Sequence, residues 1–150
     1  YWGTDLSRDL ILKGYADELT EGDRARLPRA QLVGDADFSF PGVPDAFDYL
    51  LCFAVFTHLP MNHLRRALIR VGQRFTKFEK FLFTVFLAPD AAASLGPVRQ
   101  PDGVVTHDIR PPYHLLAEDV QHFCAQAGLM LDIRPNRLPR GQVLCVARRA

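Results

Sequence analysis

Short apolar runs and longer amphipathic stretches take turns along this chain. Residues 1–6 read as a strand or the end of one. Ser7 suits a helix N-cap, and Asp9 places a negative charge in the first turn, where the helix dipole favours it. That helix is expected to run through Leu10, Ile11, Ala16 and Leu19 to about Asp23. Gly14 weakens it by about 1 kcal/mol relative to alanine, so tertiary packing must hold it. Residues 31–34 form a short strand, and 35–46 a loop with Pro41 and Pro44.

Residues 48–55 are nearly continuously apolar, the pattern of a strand covered on both faces, which puts Val55 in the core. Pro60 fits the first turn of a helix striped by Leu64, Leu68, Ile69 and Val71. Residues 80–87 are a second buried strand. Residues 88–112, rich in Ala, Pro and Gly, read as a long excursion over the sheet edge. A helix over 118–127 ends at Gly128, a left-handed C-cap. Strands over 129–134 and 142–147 close the chain as a hairpin. The order β-α-β-β-α-β-α-β-β predicts an α/β fold. Its sheet is expected to have five or six strands, parallel except the last, with an antiparallel C-terminal hairpin and helices on both faces.

Composition narrows this further. A chain of 150 residues with 48% hydrophobic content supports a single domain over 1–150, burying roughly 70% of the unfolded surface. The net charge of +1 gives no reason to expect nucleic acid as a partner. The basic residues gather late, at Arg134, Arg137, Arg140, Arg148 and Arg149, and read as a solvated rim. Cys52, Cys124 and Cys145 each lie in an apolar segment, which implies free buried thiols in a reducing, cytoplasmic compartment. No apolar run reaches the roughly 18 residues of a membrane helix, so no membrane partner is expected. His107, Asp108, His114 and His122 have no metal-site spacing, and no metal is expected.

The candidate chemistry sits at strand exits. GTDLS at 3–7, VGDAD at 33–37 and FDYLLCFAVFTH at 47–58 are apolar runs that end in polar or acidic residues. In open α/β sheets, ligands bind outside the carboxyl ends of the strands, so three such exits suggest a nucleotide-like ligand. Asp5 can accept two hydrogen bonds from a ribose diol, or it can simply cap the helix that follows. His58 can act as a base toward a substrate, or it can bond the backbone at a helix start. No glycine-rich phosphate loop occurs.

These motifs, with KFLFTVFLAP at 80–89, AGLMLDI at 127–133 and GQVLCVARR at 141–149, resemble in order and spacing the C-terminal three quarters of a class I S-adenosylmethionine-dependent methyltransferase domain. The resemblance implies a Rossmann-like sheet, S-adenosyl-L-methionine as cofactor, and methyl transfer to a small-molecule acceptor. It implies that Asp5 and Leu6 meet the ribose. Asp35 would accept from the adenine amino group, the Ala36 N–H would reach a ring nitrogen, and Asp37, Phe38 or Phe40 would border the base. Phe53 and Ala54 would lie beneath the sulfonium, with His58 near the acceptor. Tyr113 and His114 would line the acceptor pocket.

Two features depart from the family. Its first strand and GxGxG loop would precede Tyr1, so the chain is expected to be an N-terminally truncated domain, inactive by itself. Its usual Pro-Gly-Gly is replaced by FTKFEK at 75–80. Two alternatives stay open: a nicotinamide-dependent Rossmann oxidoreductase, and a non-catalytic methyltransferase-like interaction domain.

Overall fold

The chain begins with a parallel pair. In the computed structural model, which describes residues 1–150, β1 (Gly3–Asp5) lies beside β2 (Leu32–Gly34), with Gly3 opposite Leu32 and Asp5 opposite Gly34. The connecting segment holds two helices where the sequence predicts one. Ser7 caps α1 (Arg8–Asp17), its hydroxyl accepting from the Leu10 amide. Helix α1 stops at Asp17 because Thr20 starts a new helix, α2 (Glu21–Arg26), with a reciprocal cap: the Thr20 hydroxyl accepts from the Asp23 amide, and the Asp23 carboxylate accepts from the Thr20 amide. Arg24 then donates to the Ala16 and Leu19 carbonyls at 3.0 and 2.6 Å, satisfying the end of α1. These elements and the following loop make one compact unit, residues 1–45. It buries little: α1 and α2 contain no buried residue, and Val43 is its one buried apolar side chain.

Residues 46–150 form a second unit with its own sheet, so β1 and β2 are not strands of one continuous sheet with the rest. β3 (Tyr49–Cys52) pairs parallel with β4 (Lys80–Leu87), from Tyr49 opposite Lys80 to Cys52 opposite Phe83. The sequence predicts a longer β3 buried on both faces. It is instead a short edge strand with one face open: Tyr49 and Leu51, which share a face, are exposed, while Leu50 and Cys52 on the other are not. β4 is the strand buried on both faces, with Phe81, Phe83, Thr84, Val85 and Phe86 all buried.

Between them, α3 (Met61–Arg74) takes Pro60 as its N-cap and turns Leu64, Ala67, Leu68 and Val71 inward at i, i+3, i+4, i+7 spacing. Arg149 closes its far end, donating to the Gly72 and Phe75 carbonyls at 2.9 and 3.0 Å.

The excursion after β4 is folded. A short 3-10 turn (Ala93–Leu95) leads to a hairpin of β5 (Val98–Arg99) and β6 (Val105–Thr106), and β7 (His114–Leu115) returns parallel to β4 at Phe86 and Leu87. α4 (Ala117–Gln126) buries Val120 and Cys124 and ends at Gly128, whose φ of +70° suits glycine. The closing hairpin is β8 (Leu129–Arg137) and β9 (Val143–Arg149), both longer than the apolar pattern predicts, with a register shift between Ile133 and Arg137. β9 lies between β4 and β8 and is antiparallel to both. No helix is long and apolar enough to cross a membrane.

Helices α3 and α4 meet where Gly72 passes the Ala127 carbonyl. A Cβ on residue 72 would lie 2.3 Å from that oxygen. Gly72→Ala is expected to destabilise the protein by about 1–3 kcal/mol through overpacking, read as a lower urea midpoint.

The cysteines are free; Cys124 and Cys145 are buried and Cys52 is half-buried. Burial pushes each thiol up from 9.0 to about 12. The thiol contribution to stability is therefore complete below pH 9.0 and is lost between there and about 12, as the unfolded chain releases protons the folded chain keeps. The urea midpoint should fall across that window, and a Cys124→Ala/Cys145→Ala variant should show a shallower slope.

Candidate functional site

Parallel pairing brings two carboxylates to neighbouring strand exits. Asp5 ends β1, and Asp35 follows β2 directly, its amide donating to the Asp5 carbonyl at 2.8 Å. The Asp5 side chain is exposed. Its Oδ1 accepts from the Ser7 amide at 2.9 Å, an Asx turn that leads into α1, while Oδ2 has no partner in the protein. One oxygen thus supports the helix start and the other is open to a hydroxyl donor. Leu6, beside it, is 73% exposed.

Asp35 is tied into its own loop. Oδ1 accepts from the Asp37 amide at 3.2 Å and the Ser39 amide at 3.0 Å, and Oδ2 from the Phe40 amide at 3.0 Å. These bonds hold a loop in which Phe38 and Phe40 both take positive φ, at 60° and 52°. The carboxylate organises this loop, as aspartate often does at a turn, and keeps only residual acceptor capacity. Ala36 is exposed and its amide has no protein partner. A purine edge offered here would find a free N–H at Ala36 and a remaining lone pair on Asp35. The unit thus offers an unpaired carboxylate oxygen at Asp5, and an unpaired amide at Ala36 with an acceptor nearby at Asp35.

In the second unit, the turn after β3 carries the other predicted residues. Phe53 is 51% and Val55 41% exposed, so Val55 is not the core residue the sequence predicts. Phe56 takes that place, buried edge-on against Phe83 with ring centroids 5.7 Å apart. Ala54 has φ of +58°. Its amide donates to the Thr84 hydroxyl at 2.8 Å, and its carbonyl accepts from the Thr57 hydroxyl at 2.9 Å. His58 is exposed; its amide closes a turn onto Val55, and its imidazole makes no hydrogen bond. The Tyr113 amide donates to the Thr57 carbonyl at 2.7 Å, so this turn and the end of the excursion are brought together.

Folds of this kind occur in solved methyltransferases. A S-adenosylmethionine-dependent methyltransferase from Clostridium acetobutylicum ATCC 824 matches 99% of this chain with a TM-score of 0.65 at 13% identity, and 74% of its own chain is covered. A SAM-dependent methyltransferase from Methanosarcina mazei matches 98% with a TM-score of 0.63 at 12% identity, with 80% of its chain covered. Magnesium protoporphyrin IX methyltransferase from Synechocystis PCC 6803, solved with bound SAM, matches 99% with a TM-score of 0.58 at 11% identity. The chain has a partial, methyltransferase-like Rossmann fold.

This chain spans 59% of that Synechocystis methyltransferase. No protein-family profile matches the sequence, and no curated protein does.

Within this methyltransferase fold, His114 is buried, unlike the exposed His58. Its Nε2 lies 3.0 Å from the Ser94 carbonyl, which can only accept, so Nε2 carries the proton. Nδ1 lies 2.9 Å from the Thr106 hydroxyl, which also lies 3.2 Å from the Val98 carbonyl and accepts from Gln100 at 3.0 Å. The ring ties the segments at Ser94 and Thr106 together, and His114 lines a cavity of about 260 Å³ with Met61, Asp108 and Asp119. His122 bonds Gln126, and no group of three or more potential metal ligands gathers.

Sequence reasoning missed Thr57, Thr84, Gln100 and Thr106. The available signal was a threonine inside the apolar run KFLFTVFL: a hydroxyl buried there must find a partner.

His114→Ala should leave the Ser94 carbonyl without its donor and cost Thr106 one of its partners, beside a new void, at about 2–4 kcal/mol. Hydrogen exchange should show the largest loss of protection between residues 94 and 114.

Proposed function

We propose that this protein takes part in transfer of a methyl group from S-adenosylmethionine to a small-molecule acceptor. The carrying observation is the pairing of β1 with β2, which aligns Asp5 and Asp35 at adjacent strand exits with an amide–carbonyl bond of 2.8 Å between them. The methyltransferase fold supports the reading, and the structural relatives include one solved with SAM and one with SAH.

In this reading, the open Oδ2 of Asp5 accepts from the ribose diol, with Leu6 alongside. The Ala36 amide and Asp35 meet the adenine edge, and the loop of Asp37, Phe38 and Phe40 borders it. Phe53 and Ala54 line the sulfonium end. When bound, S-adenosylmethionine supplies an electrophilic methyl group. His58, exposed and unbonded, can take the proton from an acceptor hydroxyl or amine. Tyr113 and His114 border the acceptor, and the rate depends chiefly on holding the acceptor in line. A net charge of +1 favours a small molecule over nucleic acid.

Asp5→Ala is expected to weaken S-adenosylhomocysteine binding by about 1.5–3 kcal/mol in titration calorimetry, the range for a hydrogen bond to a charged group. Asp5→Asn, which retains an acceptor for the Ser7 amide, separates ligand binding from helix capping. It should lose affinity while keeping the thermal midpoint. Equal affinities for all three proteins would reduce Asp5 to a cap for α1. Methyl transfer from labelled S-adenosylmethionine to a small-molecule panel tests the reaction itself.

A further inference from the structure

A Cβ-bearing residue pays conformational energy to sit in the left-handed region, and Ala54 does so with φ of +58°. The strand pairing that precedes it ends at Cys52 opposite Phe83. The next residue of β4, Thr84, then reaches over with its side chain and accepts the Ala54 amide at 2.8 Å. Thr84 is fully buried among Phe83, Val85 and Phe86, where a valine would pack as well and bring no polar group to satisfy. The one hydrogen bond its hydroxyl makes is this one.

The strain at Ala54 does not serve the core. The turn sends Phe53 and Val55 outward, 51% and 41% exposed. It is locked from its far side as well: the Thr57 hydroxyl donates to the Ala54 carbonyl at 2.9 Å, and the Thr57 carbonyl takes the Tyr113 amide at 2.7 Å. Backbone strain that is over-determined by buried hydrogen bonds and presents side chains to solvent is the signature of a positioned site.

We propose that Thr84 is a positioning residue, which holds Ala54 left-handed and thereby sets the Phe53–Ala54 backbone for cofactor and registers it against Tyr113. This rests on the cofactor role proposed above for Phe53 and Ala54. Thr84 itself touches neither cofactor nor acceptor in this account; it acts through the amide of Ala54.

The test compares wild type, Thr84→Val, Thr84→Ser and the double variant Thr84→Val/Ala54→Gly, each in the full chain. Two readouts are taken: amide exchange at Ala54 and Tyr113, and calorimetric affinity for S-adenosylhomocysteine. Thr84→Val should speed Ala54 exchange and weaken binding, each about tenfold, the loss of one buried hydrogen bond. Thr84→Ser should match wild type, because the hydroxyl is the active group. Glycine at 54 adopts positive φ freely, so the double variant should regain affinity. Unchanged Ala54 protection and affinity in Thr84→Val would overturn the proposal, as would a serine variant as impaired as the valine one. If wild type does not bind S-adenosylhomocysteine, the functional reading fails on its own. The exchange readout then still decides the positioning role: lost protection at Ala54 that spreads to Tyr113 sustains it, and unchanged protection rejects it.

Discussion

Burial of β4 on both faces is the constraint from which the second unit follows. A strand with Phe81, Phe83, Val85 and Phe86 all buried needs neighbours on both edges and cover on both sides. β3 and β9 supply the edges and β7 extends the pairing at Phe86 and Leu87. Thr84 is the exception within this run. Its hydroxyl must be satisfied inside the core, and the Ala54 amide satisfies it. The same strand that organises the apolar core therefore also shapes the turn that follows β3.

The two units differ in what holds them. From residue 46 onward, packed apolar side chains dominate, from Leu64 and Leu68 on α3 to Val120 on α4 and Val143 and Val146 on β9. In residues 1–45 almost nothing is buried, and the work falls to hydrogen bonds: the Ser7 cap, the Thr20–Asp23 box, Arg24 on the carbonyls ending α1, and Asp35 on three amides of its loop. Hydrogen bonds of this exposed kind contribute on the order of 1 kcal/mol each. A unit held by them is the more easily opened part of the chain.

Asp5 and Asp35 show how one residue type divides between structure and ligand. Asp5 commits one oxygen to Ser7 and leaves the other open, whereas Asp35 commits both. Of the two, Asp5 therefore has the greater capacity to meet a hydroxyl, and Asp35 acts mainly by shaping the loop from which Ala36 presents its amide.

Period and punctuation in the sequence already determined the α/β order, the antiparallel closing hairpin, the helix starts at Ser7 and near Pro60, and the Gly128 cap, because each depends on residues close together in the chain. The order and spacing of the strand-exit motifs likewise pointed to the methyltransferase fold that the structural relatives show. That Asp5 and Asp35 each lie at a strand exit was legible too, but the parallel pairing that sets them side by side came from the structure. The break between α1 and α2 was local and available in Thr20 and Asp23, but the apolar spacing across it masked the cap. What the chain could not disclose were partners far apart in sequence. Whether both faces of an apolar run such as 48–55 are covered depends on what packs against each, so Tyr49 and Leu51 face solvent although their pattern reads as buried. The bond from Ala54 to Thr84, the approach of Gly72 to Ala127 and the link from Thr57 to Tyr113 join residues that only the packed sheet and helices bring within reach. Tertiary structure decided these, because a buried hydroxyl or a close backbone contact takes its partner from whatever the fold places beside it.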